Sequence, residues 1–206
     1  MQTSVNAEQA YKEANALLEG HFLLASGNHS NRYLQSAKVL EHPQKAALLT
    51  DALAHMIRTH GIEVDTVCAP ALGGVLAGYE LARSLNVRSI FVEKDGEGGM
   101  VLRRGFEVAK GEKIIICEDI ITTGGSAVKA AQAVEALGGT VVAFASLANR
   151  GFCKRVGSTL EAKTECKLPS DVPLFSLDDF TFEMYSPEAC PMCKEGSVAI
   201  KPGSKG

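Results

Sequence analysis

Nowhere does the chain sustain the roughly 18 consecutive apolar residues that a membrane-crossing helix requires, which argues against insertion into a bilayer. Residues 1–13 are polar and lack the basic-then-apolar pattern of a secretory leader, so a cytoplasmic protein is expected. Positive charge is not in excess: the formal net charge is −3, and lysine and arginine are spread along the chain rather than massed in an arm. Nucleic acid is therefore not an expected partner, because binding its phosphates calls for a basic face. Neither G-x-x-x-x-G-K-[ST] nor G-x-G-x-x-G occurs, which disfavours both a polyphosphate-hydrolysing enzyme and a dinucleotide fold. Internal repeats and low-complexity tracts are missing as well.

What is present fits one α/β unit. A chain of 206 residues, 46% hydrophobic and 22% charged, is long enough to bury a full core without splitting. Ala10, Ala14, Leu17 and Leu18 recur at helical spacing over residues 7–19, with Gly20 as the expected cap. The stretch GHFLLASGNHSNRYLQSAKVL then alternates apolar and polar residues around Ser26, Gly27 and Asn28, which predicts a β-hairpin. Helical periodicity returns from Pro43 to about His60. Two strand–helix–strand units follow, VDTVCAP to VRSIFVEK and KIIICED to TVVAFASLANR, and such alternation predicts a mainly parallel sheet flanked by helices. Between them KDGEGGMVLRRGFEVAKGE is expected to be a mobile loop or lid. After Arg150 the pattern weakens to one expected strand at VPLFSL and a polar tail.

The chemistry concentrates in IIICEDIITTGGS, residues 114–126. A buried strand leads into two acids and then into a hydroxyl- and glycine-rich turn that opens a helix. At the carboxyl end of a parallel strand, adjacent acids face the crevice where ligands bind, and their oxygens accept from sugar hydroxyls or attract Mg²⁺. The glycines let backbone approach a phosphate, and a helix N-terminus offers unpaired N–H groups with about half a positive charge. Glu118 and Asp119 are thus expected to hold a ribose, and residues 122–126 to cradle a monophosphate. Strand termination and helix capping explain either half alone, but not both in this order.

This stretch resembles the PRPP-binding motif of the type I phosphoribosyltransferases. The likeness extends over nearly the whole chain to the orotate-specific members of that family, through the GHFLLASGNHSNRYLQSAKVL hairpin, the loop APALGG and the CPMC…KPGSK tail. It implies a mainly parallel central sheet flanked by helices, with a small N-terminal β-hairpin hood, in a single domain over residues 1–206. The hood would span about 1–42, the core about 43–160, and the C-terminal strand and tail 161–206. It implies transfer of the ribose 5-phosphate of PRPP to orotate, giving orotidine 5′-monophosphate and pyrophosphate. Mg²⁺ would enter with PRPP, with no direct ligand from the chain.

Carried over residue by residue, PRPP would be bound by Lys94, Glu118, Asp119, Ile120, Ile121, Thr122, Thr123, Gly124, Gly125 and Ser126, with Lys94, Glu118 and Asp119 at the chemistry. Orotate would meet Thr122, Tyr33 and Arg150, the last pairing with its carboxylate in a two-pronged hydrogen bond. Arg103 and Arg104 would sit in a lid that completes the neighbouring site of a homodimer. The chain departs from the family pattern at Ala25 and Gly73, where many orotate enzymes carry lysine, and in its lid, EGGMVLRRGF, which lacks the usual lysines and histidine. A purine-specific member of the same fold would leave an arginine at position 150 with no anion to meet. A PRPP-sensing regulator would need a nucleic-acid-binding domain or a broad basic face.

Two further features carry no expected role. Cys190 and Cys193 have the spacing of a zinc knuckle, but no second close pair accompanies them, and His21, His29, His42, His55 and His60 form no ligand pattern in the sequence. Cys68 and Cys117 fall in apolar runs, and all six cysteines are expected to be reduced.

Overall fold

A computed structural model describes residues 6–24 and 26–202. Ala25, one of the two positions where lysine is replaced, lies outside them, as do residues 1–5 and the last four residues of the KPGSKG end.

Helix α1 (Ala7–Glu13) starts at Asn6, whose Oδ1 accepts the Gln9 N–H at 2.9 Å. It stops six residues before the expected end. Asn15 turns the chain with φ 50°, a conformation asparagine tolerates, and Leu17 and Leu18 enter strand β1 (Leu17–Leu23) opposite Leu34 and Tyr33 of β2 (His29–Leu34). Cross-strand partners outweigh the helical spacing of those two leucines. Gly20 therefore lies inside a strand rather than capping a helix, at the bulge between Glu19 and Phe22. The hairpin expected to reach residue 40 ends at Leu34, and residues 36–40 form a short helix α2 (Ser36–Leu40).

Helix α3 (Pro43–Thr59) runs as expected and buries Ala46, Leu49, Leu53, Ala54 and Ile57 along one face. Burying Leu49, Leu53 and Ile57 stabilises the fold by about 1.5–3 kcal/mol each. Then come β3 (Thr66–Pro70), α4 (Gly74–Leu85), β4 (Arg88–Lys94), β5 (Met100–Leu102), β6 (Lys113–Ile121), α5 (Gly125–Glu135), β7 (Thr140–Asn149) and β8 (Leu174–Asp179). The main sheet has the order β5-β4-β3-β6-β7-β8, and all its pairings are parallel except β4 with β5.

Successive residues of β6 feed opposite faces. Ile115 and Cys117 pack with α3 and α4, whereas Ile114 and Ile116 pack with α5. This is why the strand reads as an unbroken apolar run. The crossover through α4 leads from β3 away to β4, and the crossover through α5 leads from β6 the other way to β7. The order therefore reverses between β3 and β6, and a crevice opens at their carboxyl ends.

The segment between β4 and β6 is more ordered than its glycines and charges suggest. Residues 100–102 pair antiparallel with β4, and Phe106 stands edge-on to Phe91 with centroids 5.3 Å apart. Met100, Leu102, Phe106 and Val108 pack against the core beside α5. Asp95 ties the turn by accepting the N–H groups of Glu97 and Gly99 at 2.8 and 2.9 Å.

The tail also departs from expectation. After β8, strand β9 (Met184–Tyr185) pairs with β2, so the hood is a three-stranded sheet, β1-β2-β9, completed by the C-terminal region. A 3₁₀ turn (Pro187–Ala189) and a four-residue helix α6 (Pro191–Lys194) follow. Cys68 and Cys117 are free and buried, as expected, but Cys153 and Cys166 form a disulfide with their Cα atoms 5.1 Å apart. Folding brings these two residues together over a loop whose sequence has no regular period. Among the described residues no helix is long and apolar enough to cross a membrane.

Candidate active site

The site grows from a difference in strand length. Strand β6 pairs with β3 only as far as Ile116, opposite Cys68, and then continues to Ile121 beside β7. Beyond Ile116 it borders the crevice, and there stand Glu118 and Asp119. The acids thus lie within the strand, not at its end as the sequence suggested.

The loop after β3 closes the other side. A β-carbon on Gly74 would stand 2.9 Å from the Cys117 carbonyl oxygen and 3.1 Å from Glu118 Oε2, and one on Gly73 would stand 3.3 Å from Asp119 Oδ1. At Gly74 the Cys117 carbonyl leaves no room for a side chain, so only glycine allows the loop to lie so close to Glu118, and the fit at Gly73 beside Asp119 is tight. The peptide between Ala71 and Leu72 in the same loop is cis.

Burial dominates the electrostatics. It pushes the Glu118 carboxyl up to about 8, with the neighbouring charge of Asp119 adding to the effect. Asp119 is also raised by burial, but hydrogen bonds from backbone N–H groups and from Ser36 pull it back. Ser36 in turn lies 2.7 Å from the hydroxyl of the fully buried Tyr11. Tyr11, Ser36 and Asp119 thus form one polar chain from α1 through α2 to the site. Tyr11 and Ser36 were missed in the sequence because nothing in their spacing connects them to residue 119.

After Ile121 the chain turns into α5 through Gly124, which has φ 81°. A side chain there would be strained, and its β-carbon would meet Leu168 Cδ2 at 2.5 Å. Glu118, Ile120, Ile121, Thr122, Thr123, Gly124, Gly125 and Ser126 enclose a cavity of about 200 Å³ at the helix N-terminus. The structure thus brings the whole expected phosphate turn together with Glu118. It also adds Lys167, whose backbone N–H donates to the Thr123 carbonyl at 2.8 Å. Its amine lies 3.9 Å from the point a β-carbon on Gly125 would occupy. Only tertiary folding places this lysine at the turn.

Arg150 follows β7 and is buried, not a solvated strand end. Its Nε donates to the Phe180 carbonyl at 3.3 Å, and its guanidinium carbon lies 4.2 Å from the centre of the Phe182 ring. Its buried terminal nitrogen Nη2 has no hydrogen-bond partner among the described residues. Burial lowers its pKa to about 10, which leaves it charged at neutral pH. Tyr33 is half-buried, its ring 5.9 Å from that of Phe22. Burial raises its pKa first, and the opposed charges of Asp119 and Arg150 both act on it. The hood therefore carries Tyr33 to within electrostatic reach of both Asp119 and Arg150.

Lys94 ends β4, exposed, and the register places it level with Ile120, just beyond the end of β3, which lies between the two strands. Arg103 and Arg104 stand farther out, just past the edge strand β5. Arg104 is paired with Glu93 at 2.8 Å and lies 5.7 Å from the centre of the Phe91 ring. Neither arginine is brought to the acids of its own chain.

Comparison with known proteins agrees with this geometry. The phosphoribosyl transferase domain family matches residues 35–175. Orotate phosphoribosyltransferase of Sulfurovum sp. (strain NBC37-1) is 83% identical over 202 residues, covering 98% of this chain and all of that one. Orotate phosphoribosyltransferase of Wolinella succinogenes is 69% identical, covering 98% of each chain. Among solved structures, orotate phosphoribosyltransferase from Aeropyrum pernix superposes with a TM-score of 0.68 at 24% identity, covering 84% of this chain and 92% of that one, a likeness of fold. The chain belongs to the phosphoribosyl transferase family and, within it, to the orotate phosphoribosyltransferases.

Proposed function

We infer that the chain transfers the ribose 5-phosphate of PRPP to orotate, giving orotidine 5′-monophosphate and pyrophosphate in de novo UMP synthesis, and that the groups gathered at the β3–β6 crevice perform each part. Glu118 and Asp119 accept hydrogen bonds from the ribose hydroxyls. The turn at residues 122–126, with the α5 N-terminus and the Lys167 amine, holds the 5′-phosphate. Thr122 and Tyr33 flank the base, and Arg150 receives the orotate carboxylate.

The observation that carries this reading is Arg150, a buried cation with an unpartnered terminal nitrogen, near enough to Tyr33 for the two to interact electrostatically. A buried guanidinium is costly unless an anion pairs with it, and a planar carboxylate fits its fork. A neutral purine offers no such group.

The acids also fit a divalent cation. They are crowded, oxygen-bearing and without an ion-pair partner among the described residues. Two carboxylates are too few for a Mg²⁺ cage built by protein alone, so substrate oxygens must complete the shell. When bound, such an ion would neutralise charge on the departing pyrophosphate.

Lys94, at the crevice end of β4, supplies cationic charge to the pyrophosphate side. Arg103 and Arg104 project from the outer edge of the sheet, three strand spacings from β6, or about 14 Å. That distance supports action on a partner subunit's site in a homodimer. Exposed Leu72, Leu76 and Tyr79 near α4, with Leu48 on α3, offer apolar surface for such an assembly. Residues 1–206 act as one catalytic unit in the cytoplasm.

The test is to follow the loss of orotate absorbance with PRPP and Mg²⁺, with xanthine, hypoxanthine and uracil as parallel substrates and Asp119→Asn as control. Orotate alone should turn over, and the variant should lose at least about 100-fold in kcat/KM. Turnover of a purine instead would overturn the reading of Arg150 and Tyr33.

A further inference from the structure

We propose that the chain carries a structural zinc ion, bound by His21 Nε2, His29 Nδ1, Cys190 Sγ and Cys193 Sγ, that clamps the C-terminal tail to the hood. These four atoms lie within 4.8 Å of one another. His21 Nε2 is 2.9 Å from His29 Nδ1, 3.5 Å from Cys190 Sγ and 3.8 Å from Cys193 Sγ, and Cys193 Sγ is 3.3 Å from His29 Nδ1. Zinc bonds of about 2.0–2.1 Å to nitrogen and 2.3 Å to sulfur give a tetrahedron with edges of roughly 3.3–3.8 Å. Of the six edges, three fall in that range, the two imidazole nitrogens need to part by a few tenths of an ångström, and the remaining two, His29 Nδ1 to Cys190 Sγ and sulfur to sulfur, lie within 4.8 Å.

The chemistry of the donors points the same way. Two thiols and two imidazoles form the donor set of closed zinc sites, and four protein ligands leave no position for water or substrate. His21 and His29 are buried, and so is Cys190. His21 Nδ1 lies 3.1 Å from Ser197 Oγ. When Nδ1–H donates to that hydroxyl, the lone pair on Nε2 is directed to the metal, the usual outer-shell arrangement of a zinc-bound histidine. Binding costs the two thiols their protons, which leave to solvent, and the ion with two thiolates is neutral overall.

The zinc knuckle discounted in the sequence finds its second pair across the fold. His21 and His29 sit on neighbouring strands, 169 residues from Cys190 in the first case and 164 from Cys193 in the second. All four ligands lie outside the residues matched by the family model, so the shared transfer chemistry does not account for them. The hood needs such a clamp. Its third strand has two residues, and the rest of the tail is held to it by few backbone contacts, among them the Leu23 N–H to the Ile200 carbonyl at 2.8 Å and the Ile200 N–H to the His21 carbonyl at 2.9 Å. Small folding units are commonly stapled by metal. By holding the hood sheet, the ion positions Tyr33 over the crevice without touching the reacting groups.

The test is metal analysis of the full chain, purified under reducing conditions without a histidine tag. We expect about one zinc per chain after gel filtration, falling below about a tenth in Cys193→Ser and in the double variant Cys190→Ser, Cys193→Ser. Replacing zinc with Co²⁺ should give the intense visible bands of a tetrahedral site with thiolate-to-cobalt charge transfer, and this measurement on the unaltered sequence decides the matter even where a variant misfolds. Asp119→Asn should retain its zinc, which separates this ion from the catalytic one. A chain that arrives without zinc and takes up neither Zn²⁺ nor Co²⁺ after reduction refutes the proposal, as does zinc retained in full by the double variant.

Discussion

Replacing Glu118 by Gln should stabilise this protein while damaging its activity, and the effect should depend on pH. Burial and Asp119 raise the Glu118 carboxyl from 4.5 to about 8. An acid raised in this way keeps its proton in the folded state while the unfolded chain has released it. Between about 4.5 and 8 the native state therefore binds more protons, and the Glu118 contribution to stability falls as pH rises through that window and levels off above it. Fully expressed, the shift amounts to about 5 kcal/mol, at 1.36 kcal/mol per pH unit. Glu118 lines a cavity open to water, which screens the charge, so about 1–3 kcal/mol is expected. Glutamine has nearly the same shape and no charge. At pH 9 the variant should be more stable by that amount, or roughly 3–10 °C in Tm for a chain of this length, and at pH 4 the two proteins should unfold alike. Urea or thermal unfolding of both at pH 4, 7 and 9 reads this directly, and the remaining ionisable groups cancel in the difference. A variant no more stable at pH 9, or a difference independent of pH, would refute the claim that the site holds a crowded, buried acid. PRPP binding gives a companion signal: ribose hydroxyls favour the ionised carboxylate, so binding near pH 7 should release a proton, detectable by calorimetry in buffers of different ionisation heat.

The other predictions concern substrate contacts. Arg150→Lys replaces a planar fork with a point charge and should lower kcat/KM for orotate by roughly 100-fold, while PRPP affinity changes less than about three-fold. Steady-state kinetics and calorimetry separate the two, and an unchanged orotate KM would count against the carboxylate assignment. Gly124→Ala forces a side chain into a left-handed turn against Leu168, so a loss of about 1–3 kcal/mol in urea unfolding should accompany a raised KM for PRPP. Lys167→Ala should raise the KM for PRPP by about 5–10-fold with little change in Tm, and the effect should shrink at high salt; a response independent of ionic strength would remove Lys167 from the phosphate site.

Local physics made part of this protein legible from sequence alone. The apolar run of residues 114–117, the periodicity of residues 43–60 and the order of acids, hydroxyls and glycines at 118–126 are set by near neighbours along the chain, which is why α3 runs as the sequence placed it, β6 starts where expected and a glycine turn opens α5. Family likeness added the base and the role proposed for Arg150, and a single arginine at a strand end carried no such information otherwise.

Tertiary structure alone decided what depends on distant segments meeting. Cross-strand pairing with Leu34 and Tyr33, rather than helical spacing, set the fate of Leu17 and Leu18. Tyr11 and Ser36 reached Asp119, and Lys167 reached Gly125, only because α1, α2 and the loop before β8 fold back over the crevice. Two histidines on a hairpin and two cysteines in the tail form no pattern until β9 lays the tail along β2. Side chains sense the nearest few residues through backbone geometry, whereas a site is defined by convergence in space, and for residues more than 160 positions apart only the packed fold supplies that convergence.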